Sequence, residues 1–363
     1  MAADINIVVL FGGRSGEHEV SRSSAAYVID TLRKCEEYRI LPVGITREGR
    51  WYAYSGSTEA MRQDTWLDEG PVHPASLVPD TAKHYLFVSR EGQTVSYPVD
   101  LVFPVLHGPN GEDGTIQGML ELAGLPFVGC GMASSALAMD KIFANSLFEQ
   151  NGIAQTPWLP VDQAEWRDHP DRVLTRLKEK LSFPIFVKPA RGGSSLGITK
   201  VTEEAGLSAA IETAFSHDRK VLAEEGVRGR ELEIAALGAY GVPFLSPVGE
   251  IIPDRDFYDY DSKYESQSSS QLIIPADLDE ETVRTVHAMA RAAWRTLDCY
   301  GMARIDFFLS EDGRVLLNEI NTIPGFVSIS MYPRLMRAVG LGDEHLMRRL
   351  VDLALERDKR DTR

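Results

Sequence analysis

The chain has 363 residues, too many for one ordinary core, so two or three domains are expected. Its hydrophobic and charged contents, 44% and 25%, are those of a soluble globular protein, and a formal charge of −15 argues against nucleic acid, whose phosphates demand a basic stripe. No apolar run is long enough to span a bilayer, and the opening run from Ile5 to Phe11 is too short for a signal core and is preceded by Asp4 instead of a basic residue.

That opening run reads as a buried strand, followed by the glycine-rich turn Gly12 to Gly16 and a helix beginning near Val20. A second strand is expected at Arg39–Ile45, and the Gly-, Pro- and Trp-rich stretch 48–83 reads as irregular insertion or edge structure. A strand at 100–106 then precedes a second glycine-rich turn, His107 to Gly114, and a helix from Thr115 to Ala123. Strand, turn and helix in repetition predict a parallel α/β sheet with ligands at the carboxyl ends of its strands. One long helix is expected from Ser134 to Gln150, closed by Asn151-Gly152 and carrying Lys141 within it. Two short strands, Ile185–Lys188 and Ile198–Val201, flank a loop of small residues, and a further long helix is expected from Glu280 to Leu297 before a charged helical tail. Cys35, Cys130 and Cys299 lie far apart with no CxxC pair, which suits a reducing cytoplasm and excludes a disulfide framework or a thiolate zinc site.

The most informative segment is a predicted hairpin. Residues 303–309 and 315–321 read as strands joined by Glu311-Asp312-Gly313-Arg314, with Asp-Gly at the tip. With Glu311 opposite Arg314, Asp306 falls opposite Glu319 and Arg304 opposite Asn321, and alternation places all four on one face. Carboxylates directly opposite repel each other, and a divalent cation would remove that penalty. Arg304 would sit beside the metal as a fixed cation for phosphoryl or oxyanion charge. The competing reading is a solvated hairpin face with one Arg–Glu pair. The strongly apolar opposite face (Ile305, Phe307, Leu309, Leu316, Ile320) argues against it. Just beyond, Gly325 permits a backbone conformation in which its N–H points into the site, although a plain Pro-Gly turn fits the local sequence equally well.

Two loops leave alternatives open. From Lys188 to Gly197 a lysine at a strand end leads into Ala190-Arg191-Gly192-Gly193-Ser194-Ser195, a phosphate-binding pattern that returns into a strand instead of opening a helix. A flap over nucleotide phosphates and a flexible hairpin tip are both compatible with it. In the N-terminal turn the glycines lack dinucleotide spacing, and Glu17 would oppose a pyrophosphate; its carboxylate suits an ammonium group, or else a helix N-terminus. His18, with no second histidine at metal spacing, reads as structural.

Taken together, FGGRSGEHEVS (11–21), LHGPNGEDGTIQGMLE (106–121), MDK (139–141), KPARGGSSLGITK (188–200), GRELEIAALG (229–238), FYDYDSKY (257–264) and RIDFF…NEINTIPGF (304–308, 318–326) resemble the D-alanine–D-alanine ligases of the ATP-grasp superfamily. The resemblance runs from Phe11 to Tyr332. It implies an α/β, three-domain ATP-grasp architecture with an N-terminal parallel α/β domain at 1–137. A central subdomain at 138–220 would carry the phosphate flap. A C-terminal subdomain at 221–363 would carry the metal site and a substrate lid at about 254–271.

The resemblance also implies roles. Lys141, Lys188 and Ser195 would contact ATP phosphates, Glu224 and Val227 the adenine hinge, and Glu231 the ribose. Asp306, Glu319 and Asn321 would bind two Mg²⁺ ions, with Mn²⁺ as a substitute. Glu17, oriented with Ser194 and Tyr264, would receive the first D-alanine's ammonium. His107 and Lys263 would approach the reacting carboxyl and its phosphate, Arg304 and the Gly325 N–H would stabilise an oxyanion, and Ser330 would hold the second D-alanine's carboxylate. The implied reaction makes an acyl phosphate that the second amine attacks, for peptidoglycan precursor synthesis in the cytoplasm, by a homodimer with no nucleic-acid or membrane partner. Tyr264, at the position where relatives making D-alanyl-D-lactate depart from Tyr, favours the dipeptide. Gly226 and Val327 depart from the family pattern, where a bulkier hinge residue and a Thr are common.

Three rivals compete. A D-alanine–D-lactate or other carboxylate–amine ligase of the same superfamily is the nearest. A nicotinamide-dependent oxidoreductase fails on the glycine spacing. A non-catalytic nucleotide-binding module would be expected to lack one of Arg304, Asp306, Glu319 or Asn321.

Overall fold

A computed structural model of the protein describes residues 5–193, 196–252 and 271–361, with side chains to Arg357. Its first sheet holds β1 (Ile5–Gly12), β2 (Tyr38–Ile45), β3 (Trp51–Tyr54), β4 (Val72–Leu77), β5 (Tyr85–Arg90), β6 (Gln93–Pro98) and β7 (Leu101–Pro104) in the order β6-β5-β4-β3-β2-β1-β7. The expected parallel unit is its β2-β1-β7 end, where β1 is buried on both faces. Ile7, Val9 and Phe11 enter one core while Val8 and Leu10 enter another, the period-two signature of a central strand. The stretch 48–83 is more ordered than its composition predicts. It supplies β3, β4 and two short helices, and it seats the fully buried Trp66 5.0 Å from the Phe11 ring and 5.8 Å from Tyr54.

A second, antiparallel sheet orders β8 (Trp158–Val161), β9 (Ile185–Pro189), β10 (Thr199–Val201) and β11 (Val221–Glu225) as β10-β9-β11-β8. Ile185 and Val187 face a core closed by the helices Pro170–Lys180 and Leu207–Phe215, so alternation turns Phe186 and Lys188 the other way. The third sheet contains β12 (Gly229–Gly238), β13 (Phe244–Leu245), β14 (Gly249–Ile252), β15 (Gln271–Ile273), β16 (Gly301–Ser310) and β17 (Val315–Asn321), along the path β15-β14-β12-β16-β17 with β13 on β12. The helix Glu280–Thr296 buries Val286, Ala290, Ala293 and Trp294 against Leu232, Ile234, Ile305 and Phe307. The chain's last two helices, Met331–Ala338 and Asp343–Asp361, return to the first sheet: Leu346, Met347 and Leu350 share one core with Ile7 and Phe103.

Two local expectations are corrected. The long helix breaks into Met132–Met139 and Lys141–Gln150, because Asp140 is extended (φ −89, ψ 97) and its carboxylate caps the second helix, accepting from the N–H groups of Ile142 and Phe143. Lys141 therefore stands at a helix start instead of a helix middle. In the hairpin Ser310, not Glu311, pairs with Arg314 across a three-residue turn with Gly313 at φ +82. A bulge between Asp306 and Phe307 then takes up the offset, so Arg304 does lie opposite Asn321 and Asp306 opposite Glu319. The bulge also moves the core face: Val315, Leu317 and Ile320 pack inward, whereas Leu316 lies beside Phe308 on the cleft side.

Candidate active site

The site grows from one row of residues across three strands. Glu233 on β12 lies opposite Asp306 on β16, which lies opposite Glu319 on β17, and the next row brings Arg304 opposite Asn321. Glu231 and Glu233 project to this face because Leu232 and Ile234, which alternate with them, are core. Glu233 was missed in the sequence reading, although its alternation with Leu232 carried the signal.

Cations already occupy these carboxylates. Arg304 Nε and Nη2 donate to Asp306 at 2.8 and 2.7 Å, and Nε lies 3.1 Å from Glu233 Oε2. Burial opposes the Arg304 charge, but Asp306 and Glu233 outweigh it and hold its pKa well above the ordinary value. Lys141 Nζ lies 3.1 Å from Glu319 Oε2 and donates to the Gly192 carbonyl at 3.3 Å. Burial works against this ammonium too, and Glu319, Glu224 and Glu112 together raise its pKa. Arg304 is thus the counter-ion of Asp306 and Glu233.

Among the described residues no three His, Cys, Asp or Glu side chains converge as a metal cage. The expected set is instead two carboxylates and an amide, and it passes one structural test: Asn321 Oδ1 is buried without a hydrogen-bond partner. A buried carbonyl oxygen left so costs on the order of 1–3 kcal/mol, and a hard divalent cation is a partner that would remove that cost. The residues therefore fit the ion, provided Arg304 yields Asp306 oxygens to it.

Beside the row opens a cleft of about 520 Å³ between the second and third sheets, lined by Lys141, Lys188, Val227, Glu231, Asn318 and Glu319 among others. Lys188 is ion-paired with Glu224, and both line the cleft together with Glu225, Gly226 and Val227. Gly226 is explained by space. A Cβ there would stand 2.8 Å from the Phe186 ring and 2.9 Å from Pro184, and its N–H donates to the Pro184 carbonyl at 2.7 Å. A bulkier residue would require this strand connection to move.

The N-terminal corner closes the other side. Glu17 immediately precedes the helix His18–Leu32 and is buried; Gly193 of the flap comes so near that a Cβ there would lie 2.4 Å from Glu17 Oε2. The flap therefore reaches the Glu17 carboxylate, and any larger residue at 193 would push that side chain aside. His18 is structural as expected, its Nδ1 2.8 Å from the Gly13 carbonyl. Ser330 Oγ accepts from Val327 N–H at 3.1 Å and begins the helix Met331–Ala338, whose first turn carries no acidic residue. Gly325 is not in the left-handed region; a Cβ there would meet Ser330 Oγ at 3.2 Å, so its need for glycine is mild. Ser194, Ser195, Lys263, Tyr264 and nearly all of the expected lid lie outside the described residues.

Two further groups complete the corner, Glu112 half-buried and His107 buried. Glu112, also missed from sequence, accepts from Gly108 N–H at 2.7 Å; burial, then Glu17, pushes its pKa up to about 8. Only the folded chain brings it near Glu17 and Glu319. His107 has Nε2 3.1 Å from Ser24 Oγ and its ring against the Ile323 carbonyl. Burial chiefly, with Arg304 adding to it, lowers its pKa to about 4, so the ring is neutral at pH 7. The unfolded chain takes up this proton near pH 6.5 and the folded chain refuses it until about pH 4, so stability is lost as pH falls through that window. In urea unfolding from pH 7 to 4, His107→Gln is expected to lose about 3 kcal/mol less than the unmodified chain. An equally steep loss in both contradicts the buried neutral ring.

Comparison with known proteins gives matches over nearly the whole chain. Residues 6–130 match the family model for the D-ala D-ala ligase N-terminus, and residues 147–352 that for the C-terminus. The chain is 44% identical over 356 residues to the D-alanine–D-alanine ligase of Caldicellulosiruptor bescii, spanning 98% of this chain and 96% of that one. Against the enzyme of the same name from Thermoanaerobacter pseudethanolicus the identity is 45% over 351 residues, 96% of each. Among solved structures, the VanG D-Ala:D-Ser ligase from Enterococcus faecalis aligns with a TM-score of 0.86 at 39% identity, over 97% of this chain and 99% of that one. The D-alanine-D-alanine ligase from Coxiella burnetii gives 0.86 at 35%, over 99% and 97%.

Proposed function

Since the chain belongs to the D-alanine–D-alanine ligase family, with that family's ATP-grasp architecture, we propose that the row on β12, β16 and β17 and the cleft beside it carry out the family's chemistry. That chemistry is the ATP-dependent joining of two D-alanine molecules through an acyl phosphate, with ADP and phosphate released, and it supplies peptidoglycan precursor. The carrying observation for the site is the row itself: three carboxylates in register, Arg304 between two of them, and Asn321 Oδ1 unpartnered.

In this reading the adenine lies along Glu224 to Val227, the ribose at Glu231, and the phosphates at Lys141, Lys188 and Ser195. Asp306, Glu319 and Asn321 hold Mg²⁺, two ions with Mn²⁺ as substitute; the metal when bound neutralises phosphate charge. Glu17, with Ser194 and Tyr264, holds the ammonium of the first D-alanine, whose carboxylate oxygen attacks the γ-phosphorus while ADP leaves. Lys263 steadies the transferred phosphoryl group. The second D-alanine rests its carboxylate at Ser330 and the N-terminal end of the helix Met331–Ala338, where the dipole favours an anion. Its amine attacks the acyl carbon, Arg304 and the Gly325 N–H meet the oxyanion, and phosphate departs.

The same reading takes the chain in three parts, 1–137, 138–220 and 221–363, working as a cytoplasmic homodimer. Among the described residues no helix is long and apolar enough to cross a membrane. One relative of solved structure is a D-Ala:D-Ser ligase, and Tyr264 bears on amine against hydroxyl acceptors, not on serine against alanine. Phosphate release should therefore be measured with D-alanine alone and with added D-serine or D-lactate. D-alanine alone is expected to sustain full turnover, and release that requires either addition overturns the dipeptide assignment.

A further inference from the structure

We infer that Ser24 is a positioning residue for the second chemical step, its hydroxyl tying the loop that carries Gly325 to His107 and to the helix headed by Glu17. The inference rests on the ligase reading above. Ser24 is fully buried and stands seven residues after Glu17, two turns along the same helix face. Its Oγ accepts from the Phe326 N–H at 3.2 Å and lies 3.1 Å from His107 Nε2. These are partners from three distant parts of the chain: residue 24 reaches residue 107 after β7 and residue 326 after β17.

The proton count narrows the arrangement. A buried hydroxyl that accepts from Phe326 must still place its own proton, and among the described contacts His107 Nε2 is the acceptor at hand. The neutral ring then carries its proton on Nδ1, and the ring lies against the Ile323 carbonyl. Ile323 and Phe326 bracket Pro324-Gly325, so the serine and the histidine grip both ends of the segment whose N–H meets the oxyanion. His107 is in this account a strut for that segment. The grip does not touch the cleft where phosphoryl transfer occurs: Ser24 and His107 line no part of it. Loosening it should cost the tetrahedral step and spare the formation of the acyl phosphate.

The test uses the full chain and Ser24→Ala. Acyl phosphate formation is read as D-alanine-dependent scrambling of a heavy-oxygen label in ATP, and the second step as dipeptide formation. Misplacing a donor by about 1 Å costs on the order of 100-fold. Dipeptide formation is expected to fall by about that much, with label scrambling and the KM for ATP little changed. An equal loss in both steps, or no loss, overturns the proposal. A nitrogen spectrum of labelled histidine in the unmodified chain should show His107 protonated on Nδ1; protonation on Nε2 overturns it even where Ser24→Ala does not fold. An unmodified chain that makes no dipeptide fails the ligase reading instead, and the tautomer still decides the strut.

Discussion

Glu319→Gln is expected to reduce Mg-ATP-dependent turnover with D-alanine on the order of a thousandfold or more while leaving the melting temperature almost unchanged. The amide keeps the shape of the carboxylate and removes its charge, so the proposed metal set would lose one of its two anionic ligands. Loss of Lewis-acid stabilisation of the transferring phosphoryl group is worth several kcal/mol, and each ~1.4 kcal/mol is a factor of ten in rate. Stability should hold because Glu319 is partly solvated, with 30% of its side chain exposed, and because Glu224 and Glu112 still face the Lys141 ammonium. Steady-state kinetics beside a thermal melt read both quantities. Retained turnover would remove Glu319 from the metal set.

Arg304→Met should behave differently, failing in both measurements. Its guanidinium is the ion-pair partner of Asp306 and Glu233, and both carboxylates are buried. Breaking a buried pair by deleting one member leaves uncompensated charge and costs about 3–5 kcal/mol. Turnover should fall on the order of 100- to 1000-fold, the cost of one lost oxyanion donor. Added Mg²⁺ should restore part of the stability, since a divalent cation can take the place of the guanidinium beside Asp306, and should restore none of the rate. A variant as stable as the parent without metal would show that the row is not neutralised by Arg304.

The contrast between these two residues marks how much could be read from the chain alone. Alternation and an Asp-Gly turn put Arg304, Asp306, Glu319 and Asn321 on one face, and the structure agrees. It agrees through two compensating irregularities: the turn closes one residue earlier than expected, and the bulge after Asp306 restores the register. Without that bulge Asp306 would have fallen opposite Asn318, and Glu319 would have turned to the core face beside Ile305. Bulges leave no local signature that outranks a strong turn signal, which is why the inner face was misread while the site face was not. Asp140 was hidden for a related reason, since a capping aspartate inside an apolar helical pattern looks like a surface position until the backbone turns there. Ser24 acts through partners 83 and 302 residues away in sequence, and Glu112 lies beside Glu17 and Glu319 of two other distant segments, so no periodicity encodes those contacts. The fold class and the cleft were legible because their glycines, lysines and carboxylates come in order along the chain. The counter-ion role of Arg304 was not, because Glu233 stands on a strand some seventy residues earlier.

The most direct test of the central claim is a product balance: purified protein, Mg-ATP and D-alanine as the sole amino acid, with ADP, phosphate and peptide measured together. The account predicts one D-alanyl-D-alanine for each ADP and each phosphate formed, with Glu319→Gln silent under the same conditions. ADP formed without peptide, or no turnover at all, would contradict it.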